Sequence, residues 1–101
     1  VRMMRRMPYG EPNCWLSVLE LGGRIAPGQV IEALAAENIE ARYVWKPMHL
    51  QPYYQGCEFV TARREGSAAE ELFAKGVCLP SDTKMTPQQQ ERVIRLIRGL
   101  F

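Results

Sequence analysis

The sequence predicts a small α+β domain in which about three helices pack on one face of a small, mainly antiparallel sheet. Helical segments with clear start signals alternate along the chain with short apolar segments rich in strand-forming residues. The chain has 101 residues, 47% of them hydrophobic, which suits one domain with one core. Residues 1–101 are therefore expected to form a single domain.

Two strands are predicted in the first part of the chain. Residues 1–4 are short and apolar at their ends, which favours an edge strand. Residues 14–21 alternate over most of their length and predict a strand nearly buried on both faces. The proline, glycine and asparagine content of residues 8–13 predicts a loop between the two strands.

A helix and a third strand are predicted next. Pro27 suits the first position of a helix, where the missing N–H would have no helical partner. Apolar residues recur in one stripe over residues 27–37, and Asn38 tolerates the left-handed conformation found at helix ends. Residues 39–46 are rich in β-formers and predict a strand, which Pro47 ends.

Two later helices carry capping boxes. Ser67-Ala68-Ala69-Glu70 and Thr86-Pro87-Gln88-Gln89 each place a hydroxyl at the N-cap and a Glu or Gln at the third helical position. The second of these helices extends to residue 98 with apolar residues at helical spacing, so it is expected to pack on the core.

The helix that starts after Ser67 leads into a fourth strand. Leu72 and Phe73 are expected to supply the buried face of the helix, and Gly76 to end it. Residues 77–80 predict a short apolar strand that ends at a proline. The predicted order is strand, strand, helix, strand, loop, helix, strand, helix.

Composition excludes several classes of protein. Thirteen Lys and Arg against eleven Asp and Glu give a net charge of +2, and no window approaches the about 18 apolar residues of a membrane span. No apolar stretch of a secretory signal follows the basic start. Three cysteines are an odd number for a disulfide framework, so we expect a cytoplasmic protein whose cysteines are small buried hydrophobes. A first residue other than Met suggests that an upstream segment is missing.

Common catalytic motifs are absent from the sequence. His49 is the only histidine and no nucleophile elbow is present, so a serine–histidine–acid arrangement is not supported. Gly22-Gly23 lacks the rest of a dinucleotide fingerprint or a P-loop, and Cys57 with His49 does not have metal-ligand spacing. The chain alone does not look like a complete enzyme.

Residues 42–54 are the segment most suggestive of function. They contain four aromatic residues, two cations, the only histidine and two prolines. Loops held by a rigid scaffold often carry binding residues. Arginine suits phosphate or carboxylate, and histidine donates or accepts a proton near neutral pH. The alternative is that the aromatic residues are core and that His49 caps a turn.

The order of several short motifs resembles one enzyme family. Residues 38–52 read Asn-Ile-Glu-Ala-Arg-Tyr-Val-Trp-Lys-Pro-Met-His-Leu-Gln-Pro, which is similar to a segment of the DegT/StrS family of sugar-nucleotide aminotransferases. The family has glycine where this chain has Asn38. Residues 12–18 resemble the strand that opens the family's C-terminal domain, residues 69–81 its helix followed by Cys-Leu-Pro-Ser, and residues 86–98 its closing helix.

The resemblance implies that this chain is the small C-terminal domain of a fold-type I aminotransferase, with pyridoxal 5′-phosphate as cofactor of the parent enzyme. The parent would transfer an amino group, with glutamate as donor, to a nucleotide-linked keto-sugar in polysaccharide biosynthesis. Arg42 would meet a phosphate or carboxylate, His49 sugar or phosphate oxygens, and Tyr43 or Trp45 the sugar or base. Because side chains alternate along a strand, only some of these residues face the site.

The resemblance also implies that the cofactor-binding part lies elsewhere. Lys46, Lys75 and Lys84 do not occupy the position of the family's cofactor-binding lysine, so this chain alone should neither hold the cofactor nor transaminate. We assign it no catalytic, cofactor-binding or metal-binding residue. The expected partners are the N-terminal cofactor-binding domain of the same parent, a nucleotide sugar bound by the parent, and a second copy in a homodimer.

Two other functions stay open at this point. A small nucleic-acid-binding module would use Arg2, Arg5, Arg6 and Arg63-Arg64, but the basic residues are scattered rather than gathered in one stripe. An interaction or oligomerisation module would use an exposed apolar patch, for which the candidates are Met3, Met4, Trp15 and Phe101.

Overall fold

The computed structural model describes residues 1–3, 5–63 and 65–101, and within them the predicted α+β fold is confirmed. Four strands form one antiparallel sheet in the order β1-β2-β4-β3. The elements are β1 (Arg2–Met3), β2 (Ser17–Glu20), α1 (Pro27–Ala35), β3 (Arg42–Tyr43), α2 (Ala68–Lys75), β4 (Gly76–Leu79) and α3 (Pro87–Arg98), with two 3-10 turns at Met48–Leu50 and Pro52–Tyr54. Met4 and Arg64, which the sequence interpretation also used, lie outside the described residues.

The core lies between one face of the sheet and the helices that pack on it. Val77 is opposite Leu19 in one strand pair and opposite Tyr43 in the other, so these three residues share a face. α1 and α3 pack on this face. The buried core consists of Leu19, Leu21, Val30, Leu34, Val77, Val93 and Ile97.

The second helix, α2, departs from its predicted packing. It reaches the core face through Phe73, whose ring centroid lies 6.1 Å from that of Tyr43. Leu72 was predicted to be buried but is 46% exposed, so that prediction is wrong. Because α2 leads directly into β4, its position follows the end of the strand, and this leaves part of its apolar surface uncovered.

The strands are shorter than the alternation predicts. Cys14 was expected to start a strand, but its φ of 52° is left-handed, so pairing begins only at Ser17. The third strand was expected over residues 39–46. Only Arg42–Tyr43 is assigned to β3, and the chain then leaves the sheet towards the first 3-10 turn.

The capping residues predicted at the helix ends can be compared with the hydrogen bonds that the structure shows there. Thr86 and Gln89 form both bonds of the predicted capping box: Gln89 N–H donates to Thr86 Oγ1 at 3.2 Å, and Thr86 N–H donates to Gln89 Oε1 at 2.8 Å. Asn38 adopts the left-handed conformation as predicted, with φ 57°. At α2 half of the predicted box is present, because Ser67 Oγ accepts a hydrogen bond from Glu70 N–H at 3.1 Å. The Glu70 carboxylate has a different partner, described below.

Surface exposure corrects one prediction and confirms another. Cys14 and Cys57 were expected to be buried, but both are exposed, and of the three cysteines only Cys78 is buried. Met3, Trp15 and Phe101 are 57%, 67% and 56% exposed, so the predicted exposure of each of the three is confirmed. No helix within the described ranges is long and apolar enough to cross a membrane.

Candidate functional site

An open groove of about 960 Å³ lies between β3, the end of β4 and the first turns of α3. Three of the four predicted site residues line it, namely Arg42, Tyr43 and Trp45. Within the described part of the chain, His49 is not among the lining residues. The structure therefore brings three of the predicted residues together at the groove and leaves the fourth against α2.

Arg42 presents a readily available guanidinium. Its Nε donates to Glu40 Oε1 at 2.7 Å, and the two side chains are 78% and 72% exposed. Such an exposed ion pair adds little to stability, because water screens both charges. Arg42 can therefore exchange Glu40 for a phosphate or carboxylate at a small energetic cost.

Tyr43 has a structural contact on one side and solvent on the other. Its hydroxyl lies over Gly28 of α1, where an added Cβ would come within 2.8 Å of the hydroxyl oxygen. Its ring packs near Phe73, yet Tyr43 remains 52% exposed. Tyr43 and Arg42 lie on opposite faces of the strand, as the alternation predicts.

Trp45 pairs with a residue that the sequence interpretation did not place in the site. The rings of Trp15 and Trp45 lie 5.6 Å apart at 42°, and the residues are 67% and 61% exposed. Both line the groove, and the Trp15 carbonyl accepts a hydrogen bond from the Ser81 hydroxyl at 2.8 Å. Exposed aromatic faces of this kind can stack on a base or a sugar ring.

His49 is held in the first 3-10 turn by two contacts. Its Nε2 lies 2.6 Å from Glu70 Oε1, and its ring stacks on Phe59 with centroids 3.7 Å apart. The His49 side chain is 17% exposed and that of Glu70 is 38% exposed. These contacts attach the loop that follows β3 to α2. No sequence spacing signals that Glu70 and Phe59 meet His49, because they approach it only through the path of the chain.

The charges along the groove are nearly balanced. Its lining includes Arg42, Lys84 and Arg92 together with Glu40 and Asp82. Arg92 is engaged in the fold, since its Nη2 donates to the Glu37 carboxylate at 2.6 Å. A mixed lining of this kind suits a small ligand with one or two anionic groups better than a long polyanion.

Comparison with known proteins identifies the family. The sequence profile of the DegT/DnrJ/EryC1/StrS aminotransferase family matches residues 13–98. The chain belongs to this family. It is also 43% identical over 101 residues to EpsN of Bacillus subtilis (strain 168), which its name describes as a candidate pyridoxal phosphate-dependent aminotransferase. That match covers 100% of this chain and 26% of EpsN, so the chain spans about a quarter of this curated relative.

Membership of the DegT/DnrJ/EryC1/StrS family confirms the resemblance seen in the motifs, and all four predicted site residues fall inside the matched range. The family implies pyridoxal 5′-phosphate in the complete enzyme. The lysines described here do not by themselves fit that cofactor. Lys46, Lys75 and Lys84 are exposed, whereas a lysine that binds a carbonyl cofactor needs surroundings that favour its neutral amine. We therefore derive no step through the cofactor.

Cys78 of β4 lies directly opposite Arg42 of β3 in the sheet. Burial raises the pKa of the Cys78 thiol above its ordinary value, because the thiolate would lose its hydration. A thiol that stays protonated is a weak nucleophile, so Cys78 serves as a buried structural residue on the face of the sheet opposite Val77. Among the described residues, no group of three or more His, Cys, Asp and Glu is arranged to hold a metal ion.

Proposed function

We propose that this chain is the C-terminal small domain of a pyridoxal 5′-phosphate-dependent aminotransferase that acts on a nucleotide-linked keto-sugar, with glutamate as amino donor. The observation that carries the proposal is the 43% identity to EpsN over the whole chain. The family profile, which matches residues 13–98, supports it. A role in polysaccharide biosynthesis and a cytoplasmic location belong to the same proposal.

In this proposal the small domain covers one side of the active site and binds the substrate. The exposed guanidinium of Arg42 neutralises a phosphate or carboxylate, and its weak pairing with Glu40 supports this role. The exposed rings of Trp15 and Trp45 provide a surface for the base or sugar, and Tyr43 extends that surface. His49, which is not among the described residues that line the groove, donates or accepts a hydrogen bond at a sugar or phosphate oxygen of the same substrate.

The chemistry of amino transfer needs groups beyond this chain. When bound in the complete enzyme, pyridoxal 5′-phosphate supplies the electron sink. The residues described here orient the substrate and exclude water from it. Because Lys46, Lys75 and Lys84 are all exposed, we expect the isolated chain to be inactive.

Expression of the complete reading frame that contains this chain tests the proposal. We expect a yellow protein that borohydride bleaches, with the reduced cofactor attached to a lysine outside residues 1–101 when peptides are mapped by mass spectrometry. The 101-residue chain, mixed with the cofactor and passed over a desalting column, is the matched control and should remain colourless. A colourless complete protein, or a cofactor attached to Lys46, Lys75 or Lys84, would contradict the proposal.

A second candidate function is supported by the exposed apolar surface. Met3, Trp15 and Phe101 are each more than half exposed, which is typical of a surface that meets another protein. In the proposed enzyme this surface contributes to contact with the cofactor-binding domain or with a second subunit. In a free-standing module it would support self-association alone.

A further inference from the structure

The single histidine is fixed by a carboxylate from another element. His49 Nε2 lies 2.6 Å from Glu70 Oε1, and Glu70 belongs to α2 whereas His49 belongs to a 3-10 turn. An ionised carboxylate only accepts hydrogen bonds. At this distance the proton therefore lies on Nε2 and points to Glu70, in both the neutral and the charged imidazole.

The Glu70 carboxylate contacts His49 instead of the backbone N–H of Ser67, which it would contact in a complete capping box. A Glu three residues after a serine N-cap commonly accepts a hydrogen bond from the N–H of that serine. At α3 the equivalent Gln89 makes this bond with Thr86, whereas the Glu70 side chain at α2 turns to His49 instead. The two helix starts differ although their sequence signals are alike.

The orientation of the ring is further restricted. The rings of Phe59 and His49 stack at 3.7 Å with an interplanar angle of 24°, and the His49 side chain is only 17% exposed. A 180° flip of the ring would put Cε1 where Nε2 now lies and would break the contact with Glu70. The contacts thus fix which nitrogen faces α2.

The other ring nitrogen, Nδ1, is left available. It has no hydrogen-bond partner among residues 1–3, 5–63 and 65–101. In the same ranges, no side-chain nitrogen or oxygen is both fully buried and unpaired. Nδ1 therefore reaches solvent and is the atom of His49 that a ligand can approach.

We propose that Glu70 is a positioning residue for His49: it holds Nε2–H so that Nδ1 is presented to the substrate. The proposal rests on the function proposed above, in which His49 meets a sugar or phosphate oxygen. A neutral His49 accepts a hydrogen bond from a sugar hydroxyl at Nδ1, and a charged His49 donates one to a phosphate oxygen. Phe59 keeps the ring plane in place in both states.

The first test reads the tautomer directly. Long-range ¹H–¹⁵N spectra of the 101-residue chain at alkaline pH contain the signals of one imidazole, because His49 is the only histidine. We expect the proton on Nε2 in the wild type and a mixture of tautomers in Glu70→Gln, since an amide can donate to Nε2 as well as accept from it. Glu71→Gln is the matched control, because Glu71 lies next in α2 and pairs with Arg63 at 2.8 Å. A proton on Nδ1 in the wild type, or an unchanged Glu70→Gln spectrum, overturns the proposal.

The second test connects the tautomer to binding. The probes are UDP-glucose and dTDP-glucose, titrated calorimetrically into the protein encoded by the complete reading frame. We expect Glu70→Gln to weaken binding of the preferred probe about fivefold, the effect of one lost net hydrogen bond. Glu71→Gln should bind like the wild type. In a His49→Gln background Glu70→Gln should have no further effect, because Glu70 acts through His49.

The outcomes separate this inference from the proposed function. An equal effect of Glu70→Gln with and without His49 overturns the positioning role while leaving the proposed function standing. If His49→Gln itself leaves binding of both probes unchanged, the substrate role of His49 fails, and with it the ligand half of this inference. If neither probe binds the wild type, the nucleotide-sugar substrate class is contradicted, whatever the tautomer spectra show.

Discussion

Gly76 lies at the junction of α2 and β4, where the chain passes directly from helix to strand. Gly76 ends α2 as the sequence predicts, and it also begins β4, where its φ of −92° and ψ of 140° are extended rather than left-handed. A glycine is required at this position because there is no room for a side chain. An added Cβ would clash with the Val44 side chain and the Leu72 carbonyl oxygen. The direct passage from α2 into β4 depends on this close approach.

Substitution of Gly76 should therefore be destabilising. We expect Gly76→Ala to lower the free energy of unfolding by about 1–3 kcal/mol, the usual cost of forcing extra volume into a packed site. Urea denaturation measures the change. Gly10→Ala is the control, because nothing lies within 4 Å of a Cβ added at Gly10. Equal stabilities of the two variants would show that Gly76 is not crowded.

The thiol of Cys78 gives the chain a pH dependence in the alkaline range. Burial raises its pKa, so the folded state disfavours the thiolate that the unfolded chain forms above about pH 8.5. The stabilising contribution is fully present below that pH and is lost as the pH rises through the folded value. We expect the free energy of unfolding to fall more steeply as the pH rises above about 8.5 in the wild type than in Cys78→Val.

Alkylation checks the same prediction at the level of single cysteines. Iodoacetamide should modify the exposed Cys14 and Cys57 rapidly in the folded chain and Cys78 only as the chain unfolds. The two exposed thiols act as internal references for reagent and pH. Modification of Cys78 at the rate of Cys57 would contradict the raised pKa and the burial that causes it.

Among the helices, α3 shows the most complete agreement between local signal and structure. Thr86 and Gln89 satisfy each other's backbone N–H groups, Pro87 occupies the first helical position, and the buried face contains Val93 and Ile97. The capping box and the position of Pro87 depend only on residues within the first turn of the helix. The start of this helix could therefore be predicted from the sequence.

The cap of α3 should make a measurable contribution to stability. We expect Thr86→Ala to lower the free energy of unfolding by about 1 kcal/mol, because the Gln89 N–H loses its acceptor. Thr83→Ala, in the exposed turn just before the helix, should change it by less than about 0.5 kcal/mol. Thermal and urea denaturation of the pair measure the difference. A Thr86→Ala variant as stable as Thr83→Ala would mean that the cap adds nothing to α3.

At the scale of the whole molecule, the exposed apolar residues call for a partner surface. The chain spans 26% of EpsN, and Trp15, Met3 and Phe101 are all more than half exposed. We expect the isolated chain to associate as its concentration rises, because association removes this surface from water. Sedimentation velocity over a concentration series measures this.

A double substitution identifies the surface responsible. Trp15→Ser with Phe101→Ser should shift the association to higher concentration, whereas Tyr53→Ser, at another highly exposed aromatic residue, should leave it unchanged. A wild-type chain that remains monomeric at the highest concentration would count against the oligomerisation function. The aminotransferase proposal would then depend on the cofactor experiment alone.

The sequence by itself determined the order of the elements, the α+β class, the cap of α3 and the family, because these depend on local spacing and on short motifs in register. Only the tertiary structure decided which residues meet across the chain. Trp15 joins Trp45, Glu70 leaves its cap for His49, and Leu72 and Cys57 remain exposed. The physical reason is that a contact between distant residues depends on the path of the whole backbone. Composition and periodicity carry no information about that path.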